Sequence, residues 1–210
     1  MNDSENTRKI FCIGFHRTGT TTFQTALEEL GFDVIGMTKP AWDAYELDDR
    51  ETLHGIIRSH DAFRDMPWPL MYRWLYEAYP DARFVLTHRS SDSWLASCSG
   101  NYKNRPYRMF EVIYGFDVFM GNELRAADVY KRHLHDVREF FADKPGKLLD
   151  VDLTQVNDWK LLCDFLGKEP PKRAFPHANR RPRSMVARAY LKFLKKVFPG
   201  RYKQIARDKK

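Results

Sequence analysis

Cysteine is scarce in this chain. Cys12, Cys98 and Cys163 are the only three, widely spaced and odd in number. They form no disulfide framework, no CxxC pair and no metal-ligand spacing, and are read as buried, reduced thiols. No apolar run approaches the ~18 residues of a membrane-spanning helix. The opening MNDSENTRKI is polar and has no apolar signal core, so a cytoplasmic protein with a loose tail over residues 1–8 is expected. Internal repeats, low-complexity segments and Pro- or Gly-rich linkers are also missing. With 43% hydrophobic and 30% charged residues, the composition excludes disorder, collagen and a long coiled coil. The 210 residues suffice for one sizeable core, and one domain over residues 9–210 is expected.

What the chain does have is positive charge and alternating structure. A formal charge of +7 favours an anionic partner without choosing among nucleic acid, membrane surface and small molecule. KIFCIG at 9–14 is a short apolar run ending in glycine and reads as a buried parallel strand. After a loop, Phe23, Ala26, Leu27 and Leu30 fall on one helical face, and Gly31 is placed to end that helix. FDVIG is a candidate strand, the stretch 42–64 is mixed and partly helical, and 69–78 reads as a helix before the Tyr79-Pro80-Asp81 turn. RFVLT at 83–87 is the clearest later strand, with a helix from Ser91. A long charged helix over 123–141, a strand KLLDVDL at 147–153 and a helix over 156–166 follow. The alternation predicts an α/β fold: a three-layer α/β/α arrangement around a mainly parallel sheet, of the P-loop nucleotide-hydrolase-like type. The tail over 184–210 is basic and amphipathic. It reads as a terminal helix packed on the core in preference to a membrane-surface helix. No nucleic-acid-binding motif is present.

The chemistry begins at Gly14-Phe15-His16-Arg17-Thr18-Gly19-Thr20-Thr21. The two glycines have P-loop spacing, but the lysine position holds Thr20. Backbone N–H groups at a helix N-terminus attract phosphate oxygens without side-chain help. Arg17 adds a cation whose planar fork suits an oxyanion. A glycine turn with no ligand is the alternative, and the flanking strand and amphipathic helix weigh against it.

On these residues the sequence resembles the sulfotransferase superfamily. Members open with a strand and a loop of the type [KR]-x-G-T-T that wraps the 5′-phosphosulfate of the donor PAPS, here Arg17-Thr18-Gly19-Thr20-Thr21. They also carry an arginine at the end of a later strand and a serine eight residues on, which together hold the 3′-phosphate. Arg89 and Ser97 have that spacing. KLLDVDL, DFLGKE and FPHAN are similar to the family's late segment. Asp65-Met66-Pro67 and Tyr79-Pro80-Asp81 resemble a branch of small sulfotransferase-like proteins. The likeness covers about residues 9–180 and is loose between 32 and 80.

The resemblance implies transfer of a sulfuryl group from PAPS to a hydroxyl or amine of a small acceptor, with 3′,5′-ADP as product and no metal expected. Arg17, Thr18, Gly19, Thr20, Thr21, Arg89 and Ser97 would bind the donor. The family's C-terminal Arg-Lys-Gly triplet is missing; Arg180 and Arg181 lie in a basic stretch that could substitute, or could be a solvated loop. Arg17 is expected to act in catalysis. Asp65 is the first candidate for the general base and His16 the second. A helix cap, or a salt bridge to Arg64 or Arg73, is the competing role for Asp65. Two other readings stay open: a P-loop kinase of a small metabolite, with Asp150 or Asp152 as a magnesium carboxylate, and a non-catalytic nucleotide- or anion-binding protein. Neither the acceptor nor the oligomeric state is legible.

Overall fold

A computed structural model of the chain describes residues 8–102, 104–156 and 158–176, together with the single exposed positions Lys192 and Lys196. The first seven residues, Arg180, Arg181, His177, Asn179 and the expected helix over 184–210 lie outside the described residues. The described chain separates into two compact units. One runs up to His88 and resumes from Val137; the other is Arg89–Asp136.

The first unit is built on five parallel strands: β1 Ile10–Cys12, β2 Val34–Ile35, β3 Ala62–Phe63, β4 Arg83–Thr87 and β5 Leu148–Val151. Their spatial order is β2-β3-β1-β4-β5, so the first strand in sequence lies at the centre. Flanking the sheet in this unit are the helices α1 Thr20–Glu29, α2 Lys39–Glu46, α3 Arg50–Ser59, α4 Tyr72–Ala78 and α8 Lys160–Leu166. Because every strand is parallel, all five carboxyl ends lie along one edge, where open α/β sheets bind ligands.

Strand alternation divides the core between the two faces. Ile10 and Cys12 point to a face packed with Phe23, Ala26 and Leu27 of α1 and Leu162 of α8. Phe11 points the other way. The register sets Phe11 beside Phe63 on one neighbour and Phe84 on the other, giving an aromatic row across three strands. Ring centroids are 4.8 and 5.6 Å apart along this row, and Trp68 packs edge-on against Phe63 at 4.9 Å. Each fully buried aromatic of this kind contributes about 1.5–3 kcal/mol of burial energy, before the additional gain from ring–ring geometry.

Local chemistry sets the helix ends. Thr38 caps α2 by accepting from the Ala41 N–H, with Pro40 in its first turn. Asp49 caps α3 through the Thr52 N–H at 3.0 Å. As the sequence predicts, α1 stops at Gly31, whose φ of 85° is left-handed.

The second unit holds α5 Ser91–Ser99, α6 Arg108–Tyr114 and the first part of the long helix α7 Glu123–Phe141. Its core is aromatic, with Trp94 of α5 stacked flat on Tyr130 of α7 at 4.4 Å and Phe110 edge-on to Tyr102 at 4.7 Å. Tyr114 is buried in it, while Trp68 and Tyr72 are buried in the first unit.

Several boundaries differ from the sequence reading. The helix expected over 69–78 is a 3₁₀ turn, Trp68–Met71, leading into α4. β3 lies at the end of a stretch read as partly helical, and α6 was not foreseen. Among the described residues no helix is long and apolar enough to cross a membrane.

Candidate functional site

The loop from Gly14 to Gly19 joins β1 to α1 at the carboxyl edge of the sheet, and the end of β4 closes it from beneath. A Cβ on Gly14 would lie 2.1 Å from the Thr87 carbonyl oxygen and 2.2 Å from its hydroxyl, so only glycine lets β1 and β4 come this close here. Thr18 is fully buried and turned inward. Its hydroxyl donates to the Phe15 carbonyl at 2.5 Å and lies 2.7 Å from the Thr87 hydroxyl, which is 3.4 Å from the Cys12 sulfur. The proton count gives this chain a direction. Thr18 spends its one proton on Phe15, so Thr87 donates to Thr18 and the Cys12 thiol donates to Thr87. Burial pushes the Cys12 thiol up to about 11 and so keeps its proton in place, against the opposing effect of the Thr87 hydrogen bond.

Above this base the loop turns sharply. Arg17 has φ 67° and Gly19 φ 105°, both left-handed. For a non-glycine residue such a conformation costs roughly 1–3 kcal/mol and is sustained by its surroundings. Gly19 is the N-cap of α1 and makes no side-chain cap, unlike Thr38 and Asp49 on α2 and α3. The first-turn N–H groups of α1 at Thr20 and Thr21 have no intrahelical partner and, with the helix dipole, suit an anion. Thr18 can serve such an anion only through its main chain, because its hydroxyl is committed inside. Thr20 is buried and Thr21 exposed.

His16 is buried, and that burial, helped by the Arg17 charge, lowers its pKa to about 3. Its imidazole is therefore neutral at any working pH and a weak proton acceptor.

Asp65 stands just past β3, also left-handed at φ 60°. Its carboxylate is paired with Arg64, one of the competing roles weighed for it. Arg64 in turn donates through Nε to Gln24 Oε1 on α1 at 2.6 Å. Packing of the guanidinium against Gly36, where a Cβ would lie 3.1 Å from Nη2, completes the clamp. Both charges also act on the buried Cys12 thiol at the end of β1.

The two acids that could have served a magnesium ion have other partners. Asp150 accepts from Arg138 Nε at 2.6 Å and pairs with His88 Nε2 at 3.1 Å. Burial alone would raise its pKa, but these hydrogen bonds outweigh it and hold the carboxyl at about 2. Asp152 accepts from the Thr154 N–H and hydroxyl at 2.9 and 2.6 Å, shaping its own turn.

In the second unit, Arg89 and Ser97 are both half-buried, at the start of α5 and two turns into it. Ser90 caps this helix by accepting from the Ser93 N–H. The main chain of Arg89 is held by the Tyr130 hydroxyl. Sequence reasoning missed Thr87, Gln24 and Tyr130. A lone threonine closing the apolar strand RFVLT was the one available signal; Gln24 and Tyr130 act on residues 40 and 41 positions away and leave no local pattern.

The model of a family described as a sulfotransferase domain matches residues 9–116 and 100–184. The chain is also similar to the Ava biosynthesis cluster protein M of Aspergillus versicolor, at 24% identity over 208 residues and with 80% of each chain covered.

Proposed function

The chain belongs to the sulfotransferase-domain family, and from that premise we propose that it transfers the sulfuryl group of PAPS to a hydroxyl or amine of a small acceptor. The observation that carries this reading is the phosphate loop. It is a glycine-bracketed turn held from beneath by Thr87, with an uncapped helix N-terminus and a left-handed Arg17. These residues fit an anionic donor and need no lysine.

The main-chain N–H groups of Gly19, Thr20 and Thr21 hold the 5′-phosphosulfate, and Arg17 neutralises the charge that grows on the bridging oxygen as the S–O bond breaks. Arg89 and Ser97 hold the 3′-phosphate. In the transfer step the acceptor oxygen or nitrogen bonds to sulfur, 3′,5′-ADP leaves with the electron pair of the broken bond, and Asp65 takes the acceptor's proton. Arg64 engages Oδ2 of Asp65, so Oδ1 is assigned to that proton. His16 is ranked below Asp65 because burial depresses its basicity. In-line positioning and charge stabilisation carry the remaining catalysis.

Calorimetric titration with 3′,5′-ADP, 5′-AMP and ATP–magnesium tests the reading. The protein should prefer 3′,5′-ADP, and Arg89→Ala should weaken it by about tenfold to a hundredfold, the loss of one charge-assisted hydrogen bond, while leaving 5′-AMP unchanged. Equal affinity of the parent for 3′,5′-ADP and 5′-AMP would end the proposal. Tightest binding of ATP–magnesium would replace it with a kinase.

A further inference from the structure

One side-chain hydroxyl holds the main chain of Arg89 at both of its polar groups. Tyr130 Oη accepts from the Arg89 N–H at 3.0 Å and donates to the Arg89 carbonyl at 2.9 Å. The ladder between β4 and β5 ends one residue earlier, with the His88 N–H donating to the Val151 carbonyl at 3.0 Å. Arg89 has thus left the sheet's regular hydrogen bonding, and the phenol satisfies what the strand no longer does.

The phenol is itself well anchored. Tyr130 is fully buried, and its ring lies parallel to that of Trp94 within 5° at 4.4 Å. Trp94 is also fully buried and belongs to α5, the helix that carries Ser97. The backbone of Arg89 and the helix bearing Ser97 are therefore referenced to one rigid aromatic pair.

From this arrangement we infer that Tyr130 is a positioning residue for recognition of the donor's 3′-phosphate, acting through Arg89. The inference rests on the donor reading given above. An arginine side chain has many rotamers, so its planar fork meets an oxyanion in a bidentate way only from a defined starting point. Tyr130 supplies that starting point by fixing Arg89's N–H and carbonyl together. A hydroxyl suits the task because it both accepts and donates; a phenylalanine ring would fill the same space and do neither.

Titration of the parent, Tyr130→Phe, Arg89→Ala and the double variant with 3′,5′-ADP and 5′-AMP tests the inference. Tyr130→Phe keeps the stacked ring, and its retained 5′-AMP affinity reports an intact fold and phosphate loop. It should reduce the preference for 3′,5′-ADP over 5′-AMP by roughly tenfold. In the Arg89→Ala background the same change should cost nothing further, since the residue it acts through is gone. The inference is overturned if Tyr130→Phe leaves the preference intact, if both nucleotides weaken equally, or if its loss adds in full to that of Arg89→Ala. A parent with no preference to begin with is a different result, which removes the donor reading itself and this inference with it.

Discussion

Replacing Gly14 by alanine tests whether the loop after β1 depends on close contact between β1 and β4. The added Cβ would meet the Thr87 carbonyl oxygen at 2.1 Å, its hydroxyl at 2.2 Å and its carbonyl carbon at 2.9 Å. Carbon and oxygen in ordinary contact lie more than about 3 Å apart, so the overlap is close to an ångström. The nearest atom is main chain and belongs to a strand paired on both sides, so it cannot swing aside as a flexible side chain would. Overpacking of this kind costs about 1–3 kcal/mol, and a backbone obstacle puts the expectation at the upper end. At about 2–4 °C per kcal/mol for a chain of this length, the midpoint of thermal unfolding should fall by about 6–12 °C. Differential scanning fluorimetry reads this directly. Trimming the obstacle with Thr87→Ala in the same chain should not restore the midpoint, because the carbonyl oxygen remains. A midpoint within about 2 °C of the parent, or recovery in the double variant, would refute the reasoning.

Arg17→Ala should lower turnover by roughly 10²–10³ while changing 3′,5′-ADP affinity far less, and Arg17→Lys should recover part of the rate; near-normal turnover in the alanine variant would remove Arg17 from catalysis. Asp150 titrates at about 2 in the folded chain against an ordinary value of 3.8, so its contribution to stability is present above pH 3.8 and is lost as pH falls toward 2. Asp150→Asn should accordingly flatten the fall of melting temperature with acid in that window, and parallel curves for parent and variant would contradict the assignment.

The long or strongly apolar elements were legible in the sequence. RFVLT and the stretch 123–141 have the same bounds in the structure, one as an apolar run with turn residues around it, the other as nineteen residues of sustained helical periodicity. β3 is two residues long, too short for any period to show, whereas β2, equally short, falls inside the FDVIG read as a candidate strand. β3 takes its place in the sheet from pairing with β1, a contact about fifty residues away in the case of Ile10 and Ala62, and β2 takes its place from pairing with β3. The site divides in the same way. The loop residues proposed to bind the donor were legible because the turn between β1 and α1 is contiguous in sequence, and the structure adds the left-handed conformation of Arg17. The supports beneath and beside them, Thr87 under Gly14 and Gln24 behind Arg64, were not found, because sheet order and not sequence proximity makes them neighbours. Asp65 pairs with Arg64, a role weighed for it in the sequence beside a helix cap and the general base.

The central position of β1 has a consequence for biosynthesis. Cys12 and Thr87 touch across 75 residues of sequence, and the floor of the loop exists only once β4 has been made and paired. At the usual 5–20 residues per second, translation takes roughly 4–15 s to cover that distance. During this interval a nascent chain carries Phe11 without Phe84 beside it, and the turn from Gly14 to Gly19 without its base. Closing a loop of that length is also entropically costly before any contact rewards it. The segment proposed to handle the anion is therefore synthesised well before the strand that lets it take its working shape.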